Sequence, residues 1–456
     1  KKPSEADLTK PRLSLQRLSL TMRTIVSILS FIMKSFTDIR ALLIEQQEEF
    51  LKKELGTQRT KLSEIASYKD TPFAIVISGL RRAGKSTLLA QLAHKFYPDG
   101  GYFYVNFEDE RFLNFTVSDF TKLHEFLIEL FGDQKVFLLD EIQNIQGWER
   151  FVGRMTDGGY KFYITGSNAS LLSKELGTKL TGRYIPIELF PFSFDEYLQF
   201  KKLSFPDLKR LTTVQKGKLK NAFMDYLQKG GIAQALQYPE LPIHKTLYDD
   251  IINRDVATRY KITDAKPLRE LTFYLLSNIA SLVSYNKLKE LLKLGSVNTI
   301  SSYIGYLETS WLILVINRYA SSIKQQQIAN KKVYCIDTGL TKSVAFSFSD
   351  DWGKFLENIV FLNLRRLYNE DIYYYKTKTE KEIDFYLPKK KIFIQVCQSI
   401  NNSVTREREL RALVDAMEEV EKSTGFILTE DEKDNLSLDG TVIRALPIYE
   451  WLLSLH

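Results

Sequence analysis

The chain has 456 residues, 44% of them hydrophobic, and carries 63 Lys and Arg against 56 Asp and Glu, a formal charge of +7. This length exceeds what one hydrophobic core usually organises, and the mild positive charge permits nucleic-acid binding but excludes a strongly basic protein that coats DNA. Two cysteines, Cys335 and Cys397, stand far apart in sequence, which argues against a disulfide framework or a zinc site and indicates a reducing cytoplasm.

The first 35 residues form an atypical N-terminal arm that is rich in Ser, Leu and basic residues. Its apolar stretch from Thr24 to Met33 is shorter than the roughly 20 residues that a membrane span requires, so no membrane partner is expected. We expect the native start at Met33, with the preceding residues a start-site artefact or a poorly ordered arm. From Phe36 to Leu55 the apolar spacing predicts an amphipathic helix packed on the next domain.

A phosphate-binding motif follows at Gly79 to Ser86, where Gly-Leu-Arg-Arg-Ala-Gly-Lys-Ser matches Gly-x-x-x-x-Gly-Lys-Ser/Thr. Phe73 to Ser78 before it predicts a buried parallel strand, and Thr87 to Phe96 after it has helical spacing. In this context backbone N–H groups surround phosphates, the Lys85 ammonium reaches the β- and γ-phosphates, and the Ser86 hydroxyl holds Mg²⁺. A chance glycine-rich turn is the alternative for the loop alone. The predicted nucleotide-binding residues are Gly79, Leu80, Arg81, Arg82, Ala83, Gly84, Lys85, Ser86 and Thr87.

A second motif makes the chance alternative weak. Lys135 to Glu141 predicts another apolar strand, and it ends in two carboxylates, Asp140 and Glu141. In a phosphate-binding fold, Asp140 is expected to orient Mg²⁺ and Glu141 to polarise the attacking water. The pair indicates a P-loop ATPase with ATP and Mg²⁺ as cofactors, against the alternative of two solvated acids at a strand end.

Two further residues are candidates for the catalytic site. The strand predicted from Lys161 to Thr165 is followed by Ser167 and Asn168, either of which could contact the γ-phosphate or the attacking water. Arg183 could act as an arginine finger, a role worth about 10³ to 10⁵ in rate where it occurs. It could equally be a structural partner of an acidic neighbour.

Beyond this core, Asp195 to Leu236 predicts helices with Lys-rich surfaces, broken at Gly230 and Gly231 in a lid-like region. Tyr248 to Tyr260 carries several acids and arginines at helical spacing, which is typical of a solvated or inter-domain face with salt bridges.

Ser284 to Tyr319 predicts a winged-helix arrangement: a short helix from Tyr285, a turn, a second helix from Asn298 to Glu308, and a strand from Trp311 to Tyr319. The second helix lacks Arg and Lys, although phosphate contacts dominate DNA affinity. Binding to DNA and packing against protein both remain open for this element.

The C-terminal region places Glu357 on a predicted helix and Asp384 at a strand, while the next strand reads Gln395-Val396-Cys397. This order is similar to the restriction-endonuclease fold, but an amide and a thiol stand where that fold has a metal-binding carboxylate and a lysine. Loss of these groups removes a metal ligand and a stabilising charge. Nuclease activity is therefore not expected, and the region is interpreted as an inactive relic that binds nucleic acid or a partner.

Together these motifs resemble the AAA-type ATPases of bacteria and archaea that carry an uncharacterised C-terminal region. The residues that carry the resemblance, beyond the P-loop, are Leu139 to Gln143, Gly147-Trp148, Thr165 to Asn168, Gly182-Arg183, Leu189 to Tyr197, Gly230-Gly231, Asp337 to Gly339 and Glu357-Asn358. The resemblance implies an α/β protein with an AAA-like parallel-sheet core, a helical lid, a winged-helix segment and an endonuclease-like α/β domain. The expected boundaries are 36–200 for the core, 201–265 for the lid, 266–345 for the winged helix and 346–456 for the last domain.

The leading hypothesis is a cytoplasmic ATP-driven switch or motor whose core couples hydrolysis to the C-terminal domain, with DNA as its client. The alternative is an ATP-dependent regulatory switch of the toxin-antitoxin or defence type that binds a protein partner without DNA. Either function is compatible with a homo-oligomer or with a switch between monomer and oligomer.

Overall fold

The computed structural model describes residues 39–172, 174–180, 182–205, 207–208, 210–345, 352–369 and 371–454. The arm predicted at 1–35 and the start predicted at Met33 lie outside these residues. In the part of the chain described, no helix is both long enough and apolar enough to cross a membrane.

The first domain is built on a parallel sheet of five strands in the order β2-β3-β4-β1-β5. The strands are β1 (Ala74–Ser78), β2 (Tyr102–Asn106), β3 (Val136–Asp140), β4 (Lys161–Gly166) and β5 (Tyr184–Glu188). Strands β1 and β3 are buried along their whole length, as their continuous apolar runs predict for a sheet covered on both faces.

Helices cover both faces of this sheet. They are α1 (39–51), α2 (Lys61–Ala66), α3 (Lys85–Phe96), α4 (Phe120–Phe131), α5 (Glu149–Asp157) and α6 (Lys174–Lys179). Short 3-10 turns lie at Glu110–Phe112, Val117–Asp119, Ile142–Asn144 and Ala169–Leu172. The predicted amphipathic helix forms as α1, which buries Leu42 and Leu43 in the same apolar cluster as Phe103 and Val105 of β2.

A helical region follows the sheet. It contains α7 (Phe194–Phe200), α8 (Thr213–Lys229), α9 (Ala233–Gln237), α10 (Ile243–Asp250) and a π-helical stretch, Ile251–Thr258. As predicted, α8 ends at Gly230, whose φ of 72° favours glycine. The N–H of Gly231 donates to Asp337 Oδ2 at 2.6 Å, and a Cβ on Gly230 would lie 2.1 Å from Asp337 Oδ1. These two glycines therefore join the helical region to the middle of the chain.

The middle module is a three-stranded antiparallel sheet, β6-β8-β7, with helices packed against it. Its elements are α11 (Lys266–Ser277), β6 (Ser281–Val283), α12 (Tyr285–Leu291), α13 (Val297–Thr309), β7 (Ile313–Ile316), α14 (Ile323–Ile328), β8 (Lys331–Cys335) and α15 (Thr338–Val344). The strand predicted from Trp311 to Tyr319 is shorter than expected. Trp311 has a φ of 64° at the end of α13, and the backbone of Tyr319 bonds to Tyr374 in the last domain.

The last domain contains a mixed six-stranded sheet in the order β13-β14-β12-β11-β10-β9. Its elements are α16 (Trp352–Tyr368), β9 (Tyr373–Lys376), β10 (Glu382–Leu387), β11 (Ile392–Val396), α17 (Ser403–Glu419), β12 (Thr424–Thr429), β13 (Asp434–Leu438), β14 (Thr441–Pro447) and α18 (Ile448–Ser454). Strands β11, β12 and β14 are parallel to one another, and the other pairs are antiparallel.

Candidate nucleotide-binding site

The predicted phosphate-binding loop connects β1 to the first turn of α3. Gly84 has a φ of 91° and is the N-cap of α3, and Arg82 has a φ of 65°. A Cβ on Gly79 would lie 2.0 Å from the carbonyl oxygen of Leu189, so only glycine fits there. The loop therefore presents backbone N–H groups at a helix N-terminus, which is the geometry that binds phosphate.

The Lys85 ammonium lies above this loop and is buried. It donates to the carbonyl oxygens of Gly79 and Leu80, both at 3.2 Å, and lies 3.3 Å from Glu141 Oε1. The lysine is thus held beside the loop by two neutral oxygens and one carboxylate.

Asp140, the last residue of β3, is almost fully buried. Its Oδ1 accepts a short hydrogen bond from the Thr165 hydroxyl, and its Oδ2 accepts one from the Tyr104 hydroxyl at 3.3 Å. Burial, followed by the charge of Glu141, raises the pKa of Asp140, although a hydrogen bond from Ser86 opposes the rise. A carboxylate beside a hydroxyl is an oxygen pair that fits Mg²⁺, which is usually held by one or two protein groups together with phosphates.

Glu141 follows Asp140 in a left-handed conformation with a φ of 51°. Its Oε2 accepts hydrogen bonds from Gln143 Nε2 at 2.5 Å and from the N–H of Ser167 at 3.2 Å. Burial alone would raise the pKa of Glu141, but the Lys85 charge and the Gln143 hydrogen bond lower it below its ordinary value. Glu141 is therefore an ionised carboxylate at the carboxyl edge of the sheet.

Ser167 and Asn168 lie at the same edge. The Asn168 Oδ1 accepts from the N–H of Ser170 at 2.8 Å, and its backbone oxygen accepts from the Ser78 hydroxyl at 2.8 Å. Of these two candidates, Ser167 is the one bonded to Glu141.

The structure does not bring Arg183 to this edge. Arg183 precedes β5, and its backbone oxygen bonds to the N–H of Ala74 at the amino end of β1. A five-residue strand spans about 16 Å, so Arg183 lies across the sheet from the P-loop of the same chain. Its guanidinium is exposed and pairs with Asp157 at 2.6 Å.

The two arginines of the loop are held by acids from elsewhere. Arg81 bonds to both carboxylate oxygens of Asp255, at 3.2 and 3.0 Å, and to Glu108 at 2.9 Å. Arg82 lies 3.5 Å from Asp250. The acidic and basic stretch at Tyr248 to Tyr260 therefore faces the core through salt bridges, as the sequence indicates.

Sequence reasoning missed the buried Arg59, which contacts the backbone of the P-loop. It donates to the Ala83 carbonyl at 2.5 Å and the Phe190 carbonyl at 2.6 Å, and pairs with Glu196 at 3.0 Å. Glu196 also closes a capping box with Ser193 at the start of α7. No local sequence pattern distinguishes Arg59. By contrast, a polar residue at the end of β4, Thr165, could have been used to predict a hydrogen bond to Asp140.

A cavity of about 550 Å³ opens in front of these groups. It is lined by the P-loop, by Asp140 and Glu141, and by Glu108 and Arg254 from outside the loop. Its size and its mixture of cations and carboxylates fit a phosphate-bearing ligand with a divalent cation. Among the described residues, no group of three or more His, Cys, Asp or Glu side chains could hold a metal alone.

A second charged cluster lies in the last domain, where sequence analysis expected Glu357 and Asp384 without a cation. The Lys332 ammonium of β8 lies 2.9 Å from one oxygen each of Glu357, Glu382 and Asp384. Lys332 is only 2% exposed. A lysine from the middle module therefore offsets part of the negative charge of the acids that an endonuclease-like site would use to bind metal, and sequence reasoning did not anticipate Lys332.

Three family models match the chain in succession. They are an AAA domain at residues 71–198, a domain of unknown function (DUF8612) at 220–351, and a second domain of unknown function (DUF4143) at 352–451. The core is therefore an AAA-type P-loop domain, and the two regions after it have no described role.

Two curated relatives cover most of the chain. The uncharacterized protein MJ1544 of Methanocaldococcus jannaschii is 33% identical over 405 residues, which cover 83% of this chain and 88% of the relative. An uncharacterized protein of Haemophilus influenzae is 29% identical over 420 residues, covering 88% of this chain and all of the relative.

Two solved structures show a more distant likeness. The Walker-type ATPase PABY2304 of Pyrococcus abyssi is 14% identical with a TM-score of 0.39, covering 63% of this chain and 95% of its own. The Orc1 protein of Aeropyrum pernix in complex with DNA is 13% identical with a TM-score of 0.31, covering 65% and 94%.

Proposed function

Because the chain belongs to the same family as MJ1544 of Methanocaldococcus jannaschii and carries an AAA domain, we propose that it is an ATPase that uses Mg²⁺ and couples hydrolysis to its C-terminal region, acting on DNA. ATPase activity is supported by one observation: Lys85, Asp140 and Glu141 line the same cavity at the carboxyl edge of a parallel sheet. Ligands of open α/β sheets bind at that edge.

Each residue has a defined task in this proposal. The N–H groups between Gly79 and Ser86 bind the β-phosphate, and the Lys85 ammonium binds the β- and γ-phosphates. Ser86 and Asp140 hold Mg²⁺, which neutralises charge on the phosphate oxygens. When phosphate replaces Glu141 as the partner of Lys85, the Glu141 carboxylate is released to accept a proton from the attacking water.

Ser167 and Asn168 are assigned to the γ-phosphate side of the site. The N–H of Ser167 donates to the Glu141 carboxylate, so a movement of that carboxylate would change the hydrogen bonding of Ser167. The Ser78 hydroxyl, beside the P-loop, links the Asn168 carbonyl to the indole N–H of Trp311, at 2.8 and 2.9 Å. Trp311 follows α13, so the catalytic edge and the middle module share one buried chain of hydrogen bonds.

The DNA part of the proposal rests on the middle module, which we interpret as a winged helix. The order of α11, β6, α12, α13, β7 and β8 and the antiparallel sheet β6-β8-β7 support this interpretation. In this arrangement α13 is the candidate for the major groove and exposes Asn298, Ser301 and Ser302. The link through Trp311 gives ATP hydrolysis a route to this helix.

The second candidate is an ATP-dependent switch that binds a protein partner. The observation that favours it is that α13 contains no Lys or Arg, which weakens any contact with phosphates. In this case the exposed face of α13 recognises protein rather than DNA.

The test is ATP hydrolysis by the purified chain, alone and with single- or double-stranded DNA, at low and moderate salt. We expect Mg²⁺-dependent turnover that rises with DNA and falls with salt. Lys85→Ala should abolish turnover, whereas Lys95→Ala on the exposed end of α3 should not. Turnover that does not change with DNA would favour the protein partner. Turnover that survives Lys85→Ala would refute the assignment of hydrolysis to the P-loop site.

A further inference from the structure

The edge strand β2 of the parallel sheet bonds to side chains of α1. The N–H of Asn106 donates to Gln46 Oε1, and Gln46 Nε2 donates to the Asn106 carbonyl, both at 2.9 Å. The N–H of Tyr104 donates to Gln47 Oε1 at 3.2 Å. Two glutamines therefore satisfy backbone groups that the edge of a sheet leaves open. They join β2 to a helix that lies outside the AAA match at 71–198.

The same helix holds the Tyr104 ring. Phe50, in the last turn of α1, stacks on this ring with centroids 3.9 Å apart and planes 16° apart. Tyr104 is 6% exposed. Its ring is thus held by α1 on one face while its backbone is fixed by β2, which gives the phenolic hydroxyl a defined direction.

That hydroxyl points to the carboxylate at the end of β3. The Tyr104 hydroxyl donates to Asp140 Oδ2 at 3.3 Å, and the Thr165 hydroxyl donates to Asp140 Oδ1. Because each hydroxyl contacts a different oxygen, the two together set the rotation of the carboxylate. An ionised carboxylate has about four acceptor positions, so others remain for Mg²⁺ or its waters. The bond from Tyr104 is long for a hydroxyl donor, so the effect of losing it should be moderate.

We propose that Tyr104 is a positioning residue for the Mg²⁺ ligand Asp140, and that α1 sets the position of Tyr104 through Phe50. Groups that bond to a metal ligand orient it, and their loss typically weakens metal binding about 10- to 100-fold. Displacement of α1 would remove the stacked ring, free Tyr104 and loosen Asp140. A helix outside the AAA match thereby controls the metal side of the site. This inference rests on the proposed function, in which Asp140 holds Mg²⁺.

The experiment measures the dissociation constant of the non-hydrolysable ATP analogue AMPPCP by calorimetry on the full chain, once with Mg²⁺ and once with EDTA. Tyr104→Phe removes only the hydroxyl. It should weaken binding about tenfold with Mg²⁺, the lower end of the range for such groups, and less than about twofold with EDTA. Tyr102→Phe is the matched control, because Tyr102 lies two positions away on the same face of β2 and is also 6% exposed. It should change neither constant.

The role of α1 is tested in the same assay. Phe50→Leu removes the stacked ring and should weaken binding with Mg²⁺ several-fold, whereas Leu51→Ala, at a neighbouring position that is 65% exposed, should not. The double variant of Tyr104→Phe and Phe50→Leu should bind no more weakly than Tyr104→Phe alone, because both changes act through one hydroxyl.

Three results would overturn the inference and leave the ATP site in place. They are equal weakening with Mg²⁺ and with EDTA in Tyr104→Phe, an equal loss in Tyr102→Phe, and additive losses in the double variant. If the unaltered chain does not bind the analogue, or binds it equally well in EDTA, the proposed function fails first and this inference fails with it. Melting temperatures without nucleotide show whether Phe50→Leu unfolds the chain, and in that case Tyr104→Phe and its control decide.

Discussion

Two buried lysines, Lys85 in the core and Lys332 in the middle module, lie beside carboxylates but in different surroundings. Lys85 has two neutral carbonyls at 3.2 Å and one carboxylate at 3.3 Å, and it faces a cavity of about 550 Å³. Lys332 lies 2.9 Å from an oxygen of each of three acidic side chains and donates hydrogen bonds to two of them, Glu357 and Asp384.

The difference separates a site that can exchange its partners from one that cannot. A triphosphate can displace two carbonyls and one carboxylate from Lys85, because it offers more negative charge than they do. Around Lys332, any entering ligand must replace three acidic side chains, and two of them, Glu357 and Asp384, would then be buried without a counter-charge, at a cost of several kcal/mol. We therefore interpret the first lysine as part of a binding site and the second as a structural connection between two modules.

An open site can also accept a residue from a second copy of the chain, which is how we interpret Arg183. Arg183 lies at the amino edge of the sheet, across from its own P-loop, so we propose that it acts on the P-loop of a neighbouring copy in a homo-oligomer. We expect Arg183→Ala to lower turnover by about 10³-fold or more. Mixing Arg183→Ala with Lys85→Ala subunits should restore part of the activity, measured as ATP turnover against mixing ratio.

The matched control for this experiment is Asp157→Ala, which removes the ion-pair partner of Arg183 but keeps the guanidinium. That variant should retain turnover. If it loses as much activity as Arg183→Ala, and the mixture shows no recovery, Arg183 has a structural role within one chain.

The next largest expected effect is on hydrolysis, when Glu141, the carboxylate paired with Lys85, is changed. Glu141→Gln keeps the shape and the contact with Ser167 but cannot accept a proton, so hydrolysis should fall about 10²- to 10⁴-fold. ATP affinity should stay within a few-fold of the original, measured by calorimetry beside steady-state turnover. Unchanged turnover would remove Glu141 from its assigned role and leave the cavity as a binding site alone.

The same logic predicts a loss of stability, and no loss of nucleotide binding, at the second lysine. Lys332→Met leaves the two buried acids, Glu357 and Asp384, and the partly exposed Glu382 without their cation. This change should lower the free energy of unfolding by about 3 to 5 kcal/mol, measured in urea. Lys331→Met, on the same strand, removes one hydrogen bond to the Gln326 carbonyl and should cost about 1 kcal/mol. Equal losses in the two variants would contradict the structural role of Lys332.

Local patterns in the sequence were sufficient for much of the core. The strand predicted from Lys135 to Glu141 forms β3 over Val136–Asp140. The helix predicted from Asn298 to Glu308 forms α13, with the Ser296 hydroxyl at its N-terminus. Apolar runs and their spacing predict which residues are buried, and the Gly-x-x-x-x-Gly-Lys-Ser spacing predicts the backbone conformation of a phosphate-binding loop. These signals involve residues that are neighbours along the chain.

The parts that could not be predicted depend on contacts between distant segments. Arg59 meets Glu196 across 137 positions, and Lys332 meets Asp384 across 52. A single buried lysine or arginine has no characteristic neighbours in sequence, so nothing marks it before the fold is known. The acids at 357 and 384 could be recognised from strand and helix order, but the cation that neutralises them could not.

The smallest effect that we predict is a pH dependence of stability that arises from Glu357, one of the acids around Lys332. Burial, followed by the charge of Asp384, raises the pKa of Glu357 to about 8, whereas an unfolded chain ionises this group near 4.5. Between these values the folded state binds the extra proton, so the contribution of Glu357 to stability falls as pH rises and is constant above about 8.

The test uses Glu357→Gln, which cannot ionise, so its stability should not show this fall with rising pH. Its melting temperature relative to the unaltered chain should therefore increase from pH 5 to pH 8, whereas Glu407→Gln on the exposed face of α17 should show no such trend. Parallel melting curves for the chain and Glu357→Gln across this range would mean that Lys332 keeps Glu357 ionised throughout.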